Sequence, residues 1–476
     1  MPIDFLRTAR RRAAAARRRL ARVPAPAFLA AASALALLAG TPAQAQTSER
    51  TLANGMKVLV LEDHRAPTVA HMVWYRAGSI DEVNGKTGVA HVLEHMMFKG
   101  TRSLAAGEFS KRVAAMGGRE NAFTSRDYTG YFQQIHRDRL PDVMGLEAER
   151  MANLLLSREE FDKEIRVVME ERRWRTEDRA QSLVIEQLMA TAFTASPVRA
   201  PVVGWMSDLE SMSVDDAREW YERWYTPSNA LLVVAGDVEP AKVFALAEST
   251  YGKIPARALP PRKPQSEPAQ RGVRRVWVKA PAENPYVVLG FRAPTLRDVD
   301  KDTDAYALEI LSAILSLDEN GRLTREVVRG QRTANRADAG YDMTSRGPAL
   351  FMMSGVPADG KTTDDVERAL REQVRRIAAE GVREDELRRV KTQYVAGEVY
   401  KRDSIFAQAM EAAGLEIVGL SHRDEDRILE KVRAVTSAQV QDVARRWFDE
   451  DALTVATLLP QPITQRPAGP APALRH

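Results

Sequence analysis

Apolar positions along the chain fall into two stretches that repeat one order of elements, divided by a segment with almost no periodicity. In the first, residues 57–61 (Lys-Val-Leu-Val-Leu) and 68–75 (Thr-Val-Ala-His-Met-Val-Trp-Tyr) are rich in β-branched and aromatic residues and predict strands. Asn54-Gly55 supplies a turn before them. A helix carrying His91, Glu94 and His95 follows, with Thr87 placed to cap it, and a second helix over 106–115 stops at Gly117-Gly118. Residues 121–132 predict two short strands around Ser125, Arg126 and Asp127. Helical periodicity then runs over 141–157 and 159–179, a helix closes at 220–225, 230–236 is a buried strand, and 240–251 is helical.

The segment 254–272 holds five prolines and predicts a linker, which we bound at 257–272. Beyond it, strands are expected at 273–278 and 286–291 and a helix at 302–317. Arg445-Arg446-Trp447-Phe448 followed by the apolar run 452–459 echoes Arg223-Trp224-Tyr225 followed by 230–235. A repeat of about 200 residues predicts an α+β chain of two homologous domains, 46–256 and 273–460. Each would be a mostly antiparallel sheet with helices packed on one face. The tail 461–476, with four prolines, predicts disorder.

Composition refines this in two ways. At 476 residues, 44% hydrophobic and 28% charged, the chain reads as a soluble globular protein of two or more domains. Its formal charge of +4 comes from residues 1–45, whose eight arginines and single acid contribute +7 and leave −3 for the rest. The basic balance therefore belongs to the leader, and a nucleic-acid partner loses its support. That leader has the form of a signal peptide: arginines, a 14-residue apolar run over 27–40, and Ala43 and Ala45 spaced as in an A-x-A cleavage site. The run is short for a permanent anchor. With no cysteine there is no disulfide framework and no lipid-modified residue at the cleavage point. These features predict a soluble periplasmic protein, exported by either the general or the twin-arginine route.

The candidate chemistry lies in Gly88–Gly100, where His91, Glu94 and His95 form H-x-x-E-H. Histidines at i and i+4 share one helix face, so both imidazoles can reach one metal ion. Glu94 projects towards the same point and could act as general base on water activated there. The bland alternative is an amphipathic helix with two incidental histidines. A catalytic zinc site usually has three protein ligands, and a carboxylate is the common companion to two histidines. In 164–172, Glu164 and Glu171 are seven apart and share a face, whereas Glu170 aligns with Lys163 and Arg166 on a solvent-like face. We take Glu171 as the third ligand, with Glu170 as the alternative, and Glu164 as an outer carboxylate that orients a ligand or shuttles protons. A charged surface helix with i,i+4 pairs is the competing reading of that stretch.

These residues together resemble the pitrilysin/insulinase family of zinc peptidases, which includes the mitochondrial processing peptidases. The family's ligand glutamate lies some 75 residues beyond the inverted motif, and 75 residues separate His95 from Glu171. Gly117-Gly118, Asn121-Ala122 and Thr124 look like its G-G-x-x-N-A-x-T segment, and 225–230 with Gly236-Asp237 look like its Y-x-P-x-N-A and G-D turns. The resemblance implies a half-clamshell binding one zinc ion per chain, two such halves closing around an unfolded peptide. It also implies that a substrate strand adds to a sheet edge at Asn121, Ala122 and Thr124. A departure is Val328 and Asn335, which stand where active members present an arginine and a tyrosine; Arg329 and Tyr341 are the nearby substitutes. We therefore expect a heterodimer with a related subunit that carries this pair, a homodimer being the alternative. The expected activity is zinc metalloendopeptidase. Its rivals are a non-catalytic peptide-binding or assembly subunit and a zinc hydrolase of another bond.

Overall fold

The computed structural model describes residues 47–263 and 265–463; the signal-peptide leader and residues 464–476 of the expected tail lie outside the described residues. The first half builds one sheet from β1 (Thr47–Thr51), β2 (Lys57–Glu62), β3 (Thr68–Tyr75), β4 (Arg119–Thr124), β5 (Thr129–His136) and β6 (Ala230–Gly236), in the order β1-β2-β6-β3-β5-β4. The second half builds another from β7 (Arg274–Pro281), β8 (Tyr286–Ala293), β9 (Ala334–Gly340), β10 (Ala349–Pro357) and β11 (Leu453–Gln461), in the order β7-β11-β8-β10-β9. Both are antiparallel except for one parallel pair at the corresponding place, β2 with β6 and β7 with β11. The repeat seen in the sequence is thus a repeat of sheet topology. Only β1 has no counterpart, and its sequence, Thr-Ser-Glu-Arg-Thr, carries no apolar pattern because it lies exposed along β2.

Four helices decide how the site is built: α1 (Val89–Met96), α2 (Arg158–Arg172), α3 (Ala180–Ala192) and α4 (Ile405–Val418). Strand side chains alternate between faces, yet both parities are apolar here, which requires both faces to be covered. Val58, Val60, Val69, Val73 and Tyr75 pack with α1 in the main core of the first half. Leu59, Leu61, Ala70, Met72 and Trp74, on the opposite face, meet Ala409, Ala412, Ala413 and Ile417 of α4, a helix that belongs by sequence to the second half. The second sheet repeats this in reverse. Its Ala280, Val288, Leu350, Ala456 and Leu458 are covered by Val184, Leu188, Met189 and Ala192 of α3, from the first half. The halves therefore exchange one helix each. Strands divide between the halves at the proline-rich segment; helices do not.

That segment is pinned rather than free. Arg257 donates to the carbonyls of Glu222 (2.9 Å) and Tyr225 (2.6 Å). The Glu267 carboxylate accepts from the backbone N–H groups of Thr194 (2.7 Å), Ala195 (2.8 Å) and Ser196 (2.7 Å). Gln270 donates to the Leu453 carbonyl at 2.6 Å. Its prolines remove strand and helix periodicity, and side-chain bonds to backbone take over. At the far end, Gln461 closes β11 opposite Pro281 instead of opening a disordered tail. Among the described residues no helix is long and apolar enough to cross a membrane.

Candidate metal centre

Helix α1 is buried along its whole length. The sequence places Thr87 as the cap of its first turn, and the structure corrects this. The N-cap is Gly88 in the left-handed region, at φ 88°, where an added Cβ would lie 2.5 Å from the Val203 carbonyl oxygen. The orphan N–H groups of Gly88 and Ala90 donate instead to the buried carboxylate of Glu82, at 2.8 and 2.9 Å. Burial pushes Glu82 up to about 8, against those two bonds. The Thr87 hydroxyl donates to Asp208 (2.6 Å) and accepts from the Trp205 N–H (3.0 Å), tying down the loop before the helix.

From this helix His91, Glu94 and His95 face one point, with 6%, 5% and 2% of their surface exposed. The two imidazole rings lie 4.8 Å apart at 69°. Helix α2 brings Glu171, 2% exposed, against them: its Oε2 is 3.2 Å from His95 Nε2 and 3.7 Å from His91 Nε2. One ligand atom from each of the three lies within 4.8 Å of the others. Glu170 is turned outward and pairs with Arg173. Glu164, one face-repeat before Glu171, meets His95 Nδ1 at 2.9 Å through one oxygen and Lys99 Nζ at 2.6 Å through the other. The other oxygen of Glu171 is held by Arg175 at 2.7 Å. Arg175 lies in a π-helical turn, Arg173–Glu177, that continues α2; the sequence reading took this stretch as ordinary helix.

The electrostatics follow from this packing. Burial would lower His95, but its bonds to Glu164 and Glu171 outweigh it and raise it to about 9. Burial would raise Glu171, but the His95 bond and the charges of His91 and Arg175 bring it down to about 2. Burial raises Glu94, opposed by His95 and by a hydrogen bond that Glu94 accepts from the Thr124 hydroxyl. With Nδ1 of His95 engaged by Glu164, its Nε2 is the nitrogen turned to Glu171. Two imidazole nitrogens and a carboxylate oxygen, with a carboxylate behind one histidine, is a donor set that fits zinc.

The edge of the first sheet runs directly to this cluster. Among the described residues strand β4 pairs only with β5, and Thr124 at its end is the residue bonded to Glu94. Thr124 was expected beside Asn121 and Ala122 on the substrate side; its hydroxyl is committed to Glu94. Asn121 is exposed and its Oδ1 accepts from the Ala122 N–H at 2.8 Å. Sequence reasoning missed Lys99 and Arg175. Both stand four residues after a site residue, on the same helix face, a spacing that could have pointed to them. It also missed Glu82, which no spacing rule links to α1. In the second half, Val328 packs against that half's core and Asn335 donates to the Pro357 carbonyl at 3.3 Å. Arg329 pairs with Glu319 at 2.9 Å, and Tyr341 donates to the Pro294 carbonyl. Each is engaged within the second half.

Comparison with known proteins places this arrangement. Residues 57–204, which hold every member of the cluster, match the insulinase (peptidase family M16) model, and 211–394 match the peptidase M16 inactive domain. The chain belongs to the insulinase family. A zinc protease of Helicobacter pylori, PqqE, is 29% identical over 418 residues, spanning 86% of this chain and 92% of that protein. The crystal structure of a protease from Helicobacter pylori superposes with a TM-score of 0.83 at 28% identity, covering 87% of this chain and all of that one. The periplasmic protease PqqL of Escherichia coli shares the fold at 18% identity and a TM-score of 0.74, and this chain covers 48% of it. In the insulinase family member described here, the match to the inactive domain begins at 211, before β6 of the first sheet, ends at 394 within the second half, and contains no histidine motif.

Proposed function

We propose that this chain is a zinc metalloendopeptidase acting on peptides or unfolded polypeptides. The observation that carries the reading is the convergence of His91 Nε2, His95 Nε2 and Glu171 Oε2 in a buried site beside Glu94. These three residues would hold one zinc ion, which when bound supplies Lewis acidity that activates water near neutral pH and polarises a peptide carbonyl. Glu94, raised by burial, takes the proton of the attacking water and delivers it to the departing amine. Thr124 holds the Glu94 carboxylate in place, and Glu164, backed by Lys99, fixes the ring of His95. A substrate backbone pairing along β4 would lie next to both, reading main chain more than side chains, with Asn121 and Ala122 on the docking edge.

Three further assignments go with this reading. The arginine-rich leader and its A-x-A spacing support export to the periplasm. Val328 and Asn335 in place of an arginine and tyrosine support pairing with a related subunit that contributes those groups, a homodimer being the alternative. The alternative is a non-catalytic peptide-binding or assembly subunit, which would purify without stoichiometric zinc. The discriminating experiment is Glu94→Gln. That variant should keep its zinc and lose turnover by about a hundredfold or more; hydrolysis retained at the wild-type rate would rule out the assigned role.

A further inference from the structure

Where the end of β3 meets the C-terminus of α4 there is a cavity of about 400 Å³, and the guanidinium groups of Arg76, Arg262 and Arg346 line it. Two of the three are satisfied. Asp81, whose side chain is 5% exposed, accepts from Arg346 through both oxygens at 2.9 Å and from Arg262 at 2.9 Å. Arg346 also donates to the Asp127 carbonyl at 2.8 Å, and Arg262 lies over the Trp224 ring at 4.6 Å.

Arg76 differs. Its side chain makes one long hydrogen bond, to the Glu416 carbonyl at 3.4 Å, and its nearest carboxylate oxygen, Glu416 Oε2, is 4.0 Å away. The other oxygen of Glu416 is taken by Lys57 at 2.9 Å and His422 at 2.8 Å. A guanidinium carries five donors and does not give up its charge in proteins, so Arg76 keeps a cation with most donors open towards the cavity. Burial, with the charges of Arg262 and Arg346, works against that cation more than Glu416 supports it. Asp81 is shared by Arg262 and Arg346, and Glu416 by Lys57 and His422, so Arg76 is the guanidinium at the cavity without a carboxylate of its own. A single carboxylate would supply that partner, while Asp81 and Glu416 would repel a dianion.

We propose that this cavity binds the carboxylate of a peptide terminus, with Arg76 as its principal donor. Planar, forked recognition of a carboxylate is what a guanidinium provides. The choice of a peptide as the carrier rests on the peptidase reading; the anion site itself rests only on the charge geometry.

The test is calorimetric titration of the full chain carrying Glu94→Gln, so that no peptide is consumed. The probes are an N-acetylated tripeptide acid, the same tripeptide as its C-terminal amide, acetate, and inorganic phosphate. The acid should bind about tenfold or more tightly than the amide. Arg76→Gln should remove that difference and Arg76→Lys should keep part of it. Equal binding of acid and amide, no binding of either, tighter binding of phosphate than of the acid, or indifference to Arg76→Gln overturns the proposal. Acetate binding as tightly as the tripeptide acid overturns the peptide assignment. Comparing acid with amide needs no Arg76 variant, so a folding defect in Arg76→Gln would not blunt the test. Zinc content and hydrolysis are measured on protein with Glu94 intact, where failure of the peptidase reading would show separately.

Discussion

At the residue scale, the site depends on what holds each ligand from behind. His95 is gripped on Nδ1 by Glu164, and Glu164 by Lys99, so the ring reaches Glu171 in one orientation. Glu164→Gln keeps an acceptor but loses the charge, and zinc affinity should fall about 10- to 100-fold, read by competition with a chelator. Unchanged affinity would mean that Glu164 does not orient the ligand. Spacing favours Glu171 over Glu170 as the inward carboxylate but leaves both open as ligand, because one turns towards the face of Glu164 and the other aligns with Lys163 and Arg166. The structure buries the first and pairs the second with Arg173 at the surface. Thr87 and Thr124 were less legible. A hydroxyl has many possible partners in range, and sequence alone does not say whether it caps a helix, meets substrate or, as for Thr124, bonds a glutamate 30 residues away.

At the element scale, α1 is a short buried helix whose first turn relies on one carboxylate outside it. Glu82→Ala would leave the N–H groups of Gly88 and Ala90 without acceptors in a buried place. It should cost about 1–3 kcal/mol of stability, seen as a lower denaturation midpoint, with Glu82→Gln losing less. Equal stability of Glu82→Ala and wild type would show that another group caps the helix. Strands β2, β3 and β6 were readable because β-branched and aromatic runs have few other uses. Strand β1 was not, since an exposed edge needs no apolar pattern, and the π-helical turn after α2 leaves no mark distinguishable from ordinary helix.

At the scale of the whole molecule, the exchange of α3 and α4 was the least visible feature. Helical periodicity shows that a helix has an apolar face; it does not say which sheet that face covers. The junction is also charged. Glu416, near the end of α4, meets Lys57 of β2 and His422. Burial would raise its carboxyl, but those bonds bring it down to about 2, below its ordinary value of 4.5. A group lowered in the folded state adds stability that is complete above its unfolded value and is lost as pH falls through the folded one. The chain should therefore lose stability between about pH 4.5 and 2. Denaturation midpoints followed over that window should fall less steeply in Glu416→Gln; an unchanged slope would remove Glu416 from the acid response.

All of these arguments converge on His91, His95 and Glu171 as one metal shell, and the direct measurement is metal content. Purified wild-type chain should carry about one zinc ion, with Glu171→Gln and His95→Ala nearly empty and Glu170→Gln fully loaded. A wild-type chain without zinc, or a Glu171→Gln variant that keeps it, would contradict the account.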